Sequence, residues 1–327
     1  MVSLQPITVA QYGLGPIGAE IARLMLTKSW IRLVAAIDID PAKIGKDLGD
    51  VLGLSRTLGV KVTPKLETRV DVVVHSTGST LSEVKEQLLP LLSAGAHVVS
   101  TSEELSFPLN REIREELQRA ARGNNVTLLG TGVNPGFIMD KLPLTLTAAC
   151  QSVEALEVSR VVDAAQRRDP LQRKVGAGLT REQFDEALRG GKIRHVGLRE
   201  SLMMIANGLG IDLDEVSDES ILPIMAEERI VTQCIQVEPG QVAGIHQMIR
   251  GEAKGKIRLS LDIKMYVGAK NPGDEVIVQG NPNVRMRIEG GVHGDRATAA
   301  MAVNAIPRVV AARPGVVTMD DIPISFH

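Results

Sequence analysis

One stretch near the N-terminus constrains the fold more than any other part of the chain. A short apolar run, residues 7–10, leads into three spaced glycines, Gly13, Gly15 and Gly18. Apolar residues then recur at helical spacing over residues 17–25. This order predicts a β-strand, a tight turn and an α-helix.

A second apolar run follows the predicted helix and ends in an acid. The run covers residues 31–37, and Asp38 lies about twenty residues beyond Gly18, which is the spacing of the dinucleotide-binding β-α-β fingerprint. In that fingerprint the first glycine permits the turn, the second lets the backbone approach a pyrophosphate, and the third lets helix and strand pack closely. We therefore predict a dinucleotide site on this unit.

The predicted cofactor site is the whole glycine turn together with the acid after the second strand: Gly13, Leu14, Gly15, Pro16, Ile17, Gly18 and Asp38. Pro16 suits the first turn of a helix, and the N–H groups at that helix end attract phosphates. Asp38 is expected to accept hydrogen bonds from the ribose hydroxyls and to repel a 2′-phosphate. This favours NAD over NADP, although a nearby cation would let NADP bind as well.

Composition limits the class of protein. The length of 327 residues suits about two domains, and 44% hydrophobic residues are enough for their cores. A net charge of −2 and an aromatic content of 2% argue against nucleic-acid and anionic-membrane partners. The two cysteines lack metal-ligand spacing, so no metal site is predicted. No targeting signal or membrane-spanning run is visible, and we expect a cytoplasmic protein.

The order of strand and helix patterns predicts an α/β protein of two domains. Residues 1–133 alternate buried strands with helices, which indicates a Rossmann-type domain with a parallel sheet. Residues 134–294 are expected to form an α+β domain for substrate binding and dimerisation, with a mixed, largely antiparallel sheet. A last helix, residues 295–312, lies in a C-terminal segment, 295–327, that we expect to pack back on the first domain.

Periodicity predicts several elements of the second domain. Residues 256–267 alternate strictly between apolar and polar side chains, as in a half-exposed antiparallel strand. Further strands are expected at residues 155–162, 229–237, 275–279 and 284–288, and helices at residues 180–188 and 200–209.

Polar residues follow two further predicted strands of the first domain, residues 70–74 and residues 98–100. Ser76, Thr77 and Gly78 follow the first of these strands and are expected to contact the dinucleotide, because the carboxyl ends of parallel strands line the ligand crevice. Their alternative role is to cap the next helix. Glu103 and Glu104 follow the second strand. They suit acid–base chemistry at the same crevice, or they are solvated acids in the first turn of the helix that carries Ile113.

Three residues of the second domain are candidates for substrate contact. His195 and His246 are each expected in a glycine-rich loop where backbone can approach a ligand, and Arg160 could clamp a carboxylate. The alternatives are hydrogen-bonded structural histidines and a solvated basic loop. Spacing alone does not decide between these roles.

Several segments, in this order, resemble one enzyme family over essentially the full chain. They are the glycine turn, Ile37-Asp38, residues 45–49, Glu103-Glu104-Leu105-Ser106-Phe107-Pro108, residues 130–137 with Gly132-Val133-Asn134-Pro135-Gly136-Phe137, residues 237–240, 281–283 and 302–307. The sequence resembles the 2,4-diaminopentanoate dehydrogenases, of which the native amine dehydrogenases are close relatives. The two segments that contain Glu103-Glu104 and Asn134-Pro135 are the most specific.

The resemblance implies an activity and roles for residues. It implies NAD(P)-dependent oxidative deamination of an amine, or reductive amination of a ketone or aldehyde with ammonia, by a homodimer with a dihydrodipicolinate-reductase-like fold. A glutamate of the Glu103-Glu104 pair would be the catalytic acid/base, and Asn134 and Pro135 are expected to contact the cofactor. Whether the substrate is 2,4-diaminopentanoate or a simple alkyl amine stays open.

Three other functions are alternatives. Dihydrodipicolinate reductase chemistry is disfavoured because the chain has no adjacent histidines. Homoserine dehydrogenase-like chemistry would need a catalytic lysine, for which Lys141 is the candidate. A non-catalytic NAD-sensing protein is the third.

Overall fold

The computed structural model describes residues 6–167, 169–253, 257–323 and 325–327. The chain divides into two compact units. The first unit comprises Met1–Phe137 and His293–His327, and the second comprises Ile138–Val292.

Within the described residues, a sheet of seven strands forms the centre of the first unit, and all its neighbouring strands are parallel. The strands are β1 Ile7–Tyr12, β2 Ile31–Ile37, β3 Val62–Thr63, β4 Val72–His75, β5 His97–Ser100, β6 Thr127–Gly130 and, near the C-terminus, β16 Gly315–Val317. They lie in the order β16-β6-β5-β4-β1-β2-β3. The strand order reverses beside β1, and at such a switch point ligands bind outside the carboxyl ends of the strands.

Five helices of the described part of the first unit cover this sheet: α1 Pro16–Met25, α2 Leu48–Val51, α3 Leu81–Ser93, α4 Arg111–Gly123 and α9 Gly294–Ala311. Every residue of β4 and β6 is buried, as expected for parallel strands covered on both faces. Helices α3 and α4 pack together over Val73, Val98 and Leu128. Helix α9 packs against α1 and contacts β4, β5 and β6.

The second unit is built on a mixed sheet. Its elements in chain order are α5 Lys141–Thr147, β7 Ser152–Asp163, α6 Asp169–Lys174, α7 Arg181–Arg189, α8 Leu198–Gly208, β8 Glu215–Val216, β9 Ser220–Met225, β10 Ile230–Val231, β11 Gln236–Val237, β12 Val242–Ala253, β13 Ile257–Tyr266, β14 Gly273–Asn281 and β15 Val284–Glu289. The sheet has the order β15-β14-β7-β13-β12-β8, with β9 also paired to β12. Its neighbours are antiparallel except for the parallel pair of β7 and β13. Helices α5 and α8 pack on each other. Helix α5 also packs against β7 and β14, and helix α8 packs against β12 and β13.

The expected fold class is confirmed: one unit is a Rossmann-type α/β unit, and the other carries a mixed, largely antiparallel sheet. No helix in the described ranges is long and apolar enough to cross a membrane.

Four details of the sequence prediction are wrong. The strand expected at residues 229–237 is two short strands, β10 and β11, because the hydroxyl of Thr232 accepts the N–H groups of Cys234 and Ile235 and forms a turn between them. Strand β13 has the predicted alternation, but it pairs parallel with β7 on one edge; Lys256, its expected first residue, lies outside the described residues.

The other two errors concern segments with unexpected strands. The glycine-rich stretch around His246 belongs to β12, where a Cβ at Gly244 would lie 2.1 Å from the carbonyl oxygen of Met265. Glycine therefore allows two strands to approach closely here, and it does not indicate a loop. The helical part of the C-terminal segment ends at Ala311, and β16 then extends the parallel sheet.

Candidate active site

The glycine turn lies between β1 and α1 at the switch point of the parallel sheet. Gly13 has φ +89°, and a Cβ at Gly18 would lie 1.9 Å from the carbonyl oxygen of Gly13, so the packing of the turn itself requires both glycines. At Gly15, apart from its two chain neighbours, no atom of the described residues lies within 4 Å of an added Cβ. Helix α1 begins at Pro16 and has no side-chain cap. The turn therefore offers space and N–H donors to a phosphate group.

The loop after β4 lies directly against this turn. The side-chain amide of Gln11 donates to the carbonyl oxygen of Gly13 and to the hydroxyl of Ser76, both at 2.9 Å. A Cβ at Gly13 would lie 2.5 Å from the carbonyl oxygen of Ser76. The structure thus brings the predicted loop of Ser76, Thr77 and Gly78 to the glycine turn. The alternative prediction, that this loop caps helix α3, is wrong, because the N-cap residue of α3 is Thr80.

Asp38 lies at the carboxyl end of β2 and is almost fully buried. Its carboxylate accepts the backbone N–H of Leu14 at 2.7 Å, the N–H of Asp40 at 2.9 Å and the ammonium of Lys43 at 3.1 Å. Burial alone would raise the pKa of Asp38, but these three donors outweigh it and hold the pKa below its ordinary value. Asp38 is therefore a charged group with a cation beside it.

Lys43 is a candidate site residue, because it lies beside Asp38, and the sequence analysis missed it. Its ammonium also lies 3.5 Å from the carboxylate of Asp40. The available signal was a lysine five residues after the fingerprint acid, beyond the turn that begins at Asp40-Pro41. Gln11 was missed as well, although a glutamine in a largely apolar strand is a visible departure from the pattern.

Glu103 and Glu104 follow β5, whose carboxyl end lies at the same edge of the sheet as the glycine turn. They begin a 3-10 helix, Glu103–Ser106, and α4 begins only at Arg111, with Asn110 as its cap. The alternative that they belong to the first turn of the helix carrying Ile113 is therefore wrong. Both side chains are partly buried.

Glu104 has a defined contact with helix α3. The carboxylate of Glu104 accepts the backbone N–H of Leu81 at 2.8 Å, and the N–H of Glu104 donates to the carbonyl oxygen of Ser79. A carboxylate at a helix N-terminus satisfies a backbone donor and interacts favourably with the helix dipole. Glu104 is thus committed to holding α3 against the loop after β5.

Asn134 and Pro135 lie in the loop after β6, at the same edge of the parallel sheet. The backbone N–H of Val133 donates to the hydroxyl of Thr298 in α9 at 3.2 Å. A Cβ at Gly136 would lie 2.5 Å from the nitrogen of Gly132, so the loop is tightly folded. Every cofactor-site residue predicted from the sequence therefore lies at one edge of the first unit.

Arg160 and His195 both lie in the second unit. Arg160 is buried in β7, 3.2 Å from the carboxylate of Asp274, and donates to the carbonyl oxygen of Val292 at 2.6 Å. The side-chain oxygen of Gln247 accepts the backbone N–H of His195 at 2.8 Å, and the side-chain nitrogen of Gln247 donates to the carbonyl oxygen of His195 at 2.9 Å. The register places Arg160 and Gln247 opposite the same residue, Ile263, so they share one face of the sheet.

The surroundings of His195 lower its pKa. Burial, together with the charges of Lys174, Arg160 and Arg194, lowers the pKa of His195 to about 3. His195 is therefore a neutral imidazole at physiological pH.

His246 does not join these residues. It is next to Gln247 in β12, and successive side chains of a strand point to opposite faces, so His246 lies on the other face of the sheet. There its imidazole lies 2.6 Å from the carboxylate of Asp262. Across the described ranges, no group of three or more His, Cys, Asp or Glu side chains is placed to hold a metal ion.

Comparison with known proteins gives the family. Residues 137–326 match the family described as the 2,4-diaminopentanoate dehydrogenase C-terminal domain. The chain belongs to the 2,4-diaminopentanoate dehydrogenase family. The resemblance seen in the sequence is thereby confirmed.

Individual relatives extend the match over the whole chain. The chain is 29% identical to the 2,4-diaminopentanoate dehydrogenase of Acetoanaerobium sticklandii, over 98% of this chain and 94% of that protein. The structure of amine dehydrogenase from Mycobacterium smegmatis superposes with a TM-score of 0.88 at 27% identity, covering 98% of this chain and 97% of that one. Dipicolinate-bound dihydrodipicolinate reductase from Paenisporosarcina sp. TG-14 has a TM-score of 0.51 at 16% identity, over 98% of this chain and 100% of that one, and shares the fold.

Proposed function

We propose that this member of the family is an NAD(P)-dependent amine dehydrogenase, which oxidises an amine to a ketone or aldehyde with release of ammonia and catalyses reductive amination in reverse. The observation that carries the proposal is the position of Glu103, on the turn after β5 at the same sheet edge as the glycine turn. The names of the relatives, a 2,4-diaminopentanoate dehydrogenase and an amine dehydrogenase, support it.

Residues of the first unit would bind the cofactor and transfer protons to and from the substrate. The turn from Gly13 to Gly18 and Asp38 would hold the cofactor, which when bound accepts a hydride from the amine-bearing carbon. The Glu103 carboxylate stabilises the iminium charge that develops on the substrate. It then takes a proton from the water that attacks this carbon and delivers a proton to the departing nitrogen, so that ammonia leaves.

For the substrate, we propose an amine that also carries a carboxylate, as 2,4-diaminopentanoate does. Lys174, Arg160 and Arg194 are the charges that act on His195. Arg160 is paired with Asp274, but its Nη1 nitrogen is buried without a hydrogen-bond partner among the described residues. Arg160 and His195 are thus the proposed carboxylate contacts. We do not propose such a role for His246, because Asp262 already binds its imidazole on the opposite face of the sheet.

A substrate panel tests the function. NADH and NADPH formation should be followed with 2,4-diaminopentanoate, monoamino acids, simple alkyl amines and hydroxy acids, and cofactor consumption with ketones and ammonia. We expect turnover with amines, and higher kcat/KM for amines that carry a carboxylate. Turnover of alkyl amines alone would refute the carboxylate contacts. Tight NADH binding without turnover of any amine would instead indicate an NAD-sensing protein.

Lys43 is proposed to set the cofactor preference. We propose NAD as the main cofactor because Asp38 repels a 2′-phosphate, and Lys43 as the cation that lets NADP bind as well. Lys43→Ala should therefore lower kcat/KM for NADP about tenfold more than for NAD, since a charge-assisted phosphate contact is lost. Lys46→Ala is the matched control, because Lys46 is an exposed lysine of the same loop. An unchanged ratio of NAD to NADP in Lys43→Ala would contradict this role.

The assembly is proposed to be a homodimer. Light scattering coupled to gel filtration should then give a particle of twice the chain mass of 35.1 kDa. A particle of a single chain at micromolar concentration would refute it.

A further inference from the structure

The first unit contains a buried polar network that the proposed chemistry does not use. His75, at the end of β4, is fully buried, and both its ring nitrogens have partners. Nδ1 lies 3.0 Å from the hydroxyl of Ser100, and Nε2 lies 2.9 Å from the side-chain oxygen of Gln87 and 2.9 Å from the hydroxyl of Thr77. One imidazole therefore connects the ends of β4 and β5 with helix α3.

The partners determine the direction of every hydrogen bond in this network. The amide oxygen of Gln87 can only accept, and it already accepts the hydroxyl of Thr77 at 2.7 Å, so Nε2 of His75 carries the hydrogen. Nδ1 must then accept the hydroxyl hydrogen of Ser100. Burial lowers the pKa of His75 to about 4, which keeps the ring neutral at physiological pH.

The network continues into the segment that carries the proposed acid/base. The hydroxyl of Ser100 accepts the backbone N–H of Ser102 at 3.2 Å, and Ser102 immediately precedes Glu103. The hydroxyl of Ser102 in turn donates to the carbonyl oxygen of Ser79 at 2.9 Å. Ser100 and Ser102 are as fully buried as His75, and buried polar groups are costly unless all are satisfied. The network thus holds the backbone of Ser102, the residue that precedes Glu103, in one position.

We propose that His75 is a positioning residue, which acts through Ser100 and Ser102 to hold Glu103 in its catalytic position. This inference rests on the proposed role of Glu103. A displacement of about 1 Å in a catalytic group can lower turnover on the order of a hundredfold, so a residue that never touches substrate can have a large effect on kcat.

A double-mutant cycle with Ser100→Ala and His75→Leu tests the proposal. Each single variant should lower kcat for amine oxidation about 10- to 100-fold, with KM for the amine and Kd for NADH within about threefold of wild type. The double variant should lose no more than the worse single variant, because both break one chain of contacts. Additive losses, or an unchanged kcat in Ser100→Ala, would overturn it.

Two conservative variants separate positioning from general destabilisation. An asparagine at position 75 can present an acceptor where Nδ1 lies, whereas a glutamine reaches only the region of Nε2. His75→Asn should therefore recover most of kcat, and His75→Gln should not. Equal activity of these two variants would refute the role of the Ser100 contact. Ser93→Ala, at an exposed serine that ends α3, is the matched control and should match wild type.

Hydrogen exchange gives a readout that does not depend on turnover. Amides of residues 101–107 should exchange faster in Ser100→Ala than in wild type, while those of β1 stay protected. Equal exchange in both proteins would overturn the positioning role whether or not an amine is oxidised. A wild-type protein that oxidises no amine would overturn the proposed function but would leave this structural part of the inference to the exchange result.

Discussion

Glu103→Gln should lower kcat for amine oxidation by about 10²- to 10⁴-fold while leaving the Kd for NADH within about threefold of wild type. Glutamine keeps the size of the side chain but neither carries the charge that stabilises an iminium nor accepts a proton from water. Steady-state kinetics with the best amine of the panel and NADH fluorescence titration measure the two quantities.

Glu104→Gln is the matched control for this substitution. The amide oxygen of glutamine can still accept the N–H of Leu81, so kcat should stay within about fivefold of wild type. Glu104→Ala removes that acceptor and should lower the free energy of unfolding by about 1 kcal/mol, as other lost helix caps do. If Glu104→Gln were the inactive variant and Glu103→Gln the active one, the assignment of the acid/base would be reversed.

Gly18→Ala should abolish NADH binding and destabilise the first unit by about 3 kcal/mol or more. The new Cβ would lie 1.9 Å from the carbonyl oxygen of Gly13 and 2.6 Å from the hydroxyl of Ser76, so backbone must move. Urea denaturation followed by circular dichroism measures the stability, and NADH fluorescence measures the binding.

Gly15→Ala should separate cofactor binding from folding. Its backbone is extended at φ −65°, and apart from its chain neighbours nothing in the described residues approaches an added Cβ within 4 Å, so the stability of the apoprotein should change by less than about 0.5 kcal/mol. The Kd for NADH should nevertheless rise at least about tenfold, because the methyl group would occupy the space proposed for the pyrophosphate. Unchanged NADH affinity in Gly15→Ala would contradict the location of the phosphate site.

The variants of Glu103, Gly15 and Gly18 should differ in the property that each one changes. We expect the Glu103 variant to lower kcat alone and the Gly15 variant to weaken NADH binding alone. The Gly18 variant should lower both stability and NADH binding, because it disrupts the turn itself.

Local patterns were sufficient where a single segment determines the structure. The spacing from Gly13 to Asp38 predicted the strand, turn, helix and acid, because backbone sterics and hydrophobic periodicity act over a few residues. The same reasoning failed at Gly244, where glycine serves close contact with a strand that is distant in sequence. A pattern within one segment carries no information about which other segment will approach it.

The sequence by itself determined that the chain carries a dinucleotide fingerprint, that a pair of carboxylates follows a strand of the same sheet, and that the family motifs are present. Only the tertiary structure decided how these side chains are used. In the folded chain, Glu104 accepts the N–H of Leu81, and Lys43 lies beside Asp38. His75 is hydrogen-bonded to Ser100. His246 and Gln247 lie on opposite faces of their sheet. The physical reason is that hydrogen bonds and ion pairs act over about 3 Å between residues that are far apart in the chain, so their partners follow from packing and not from spacing.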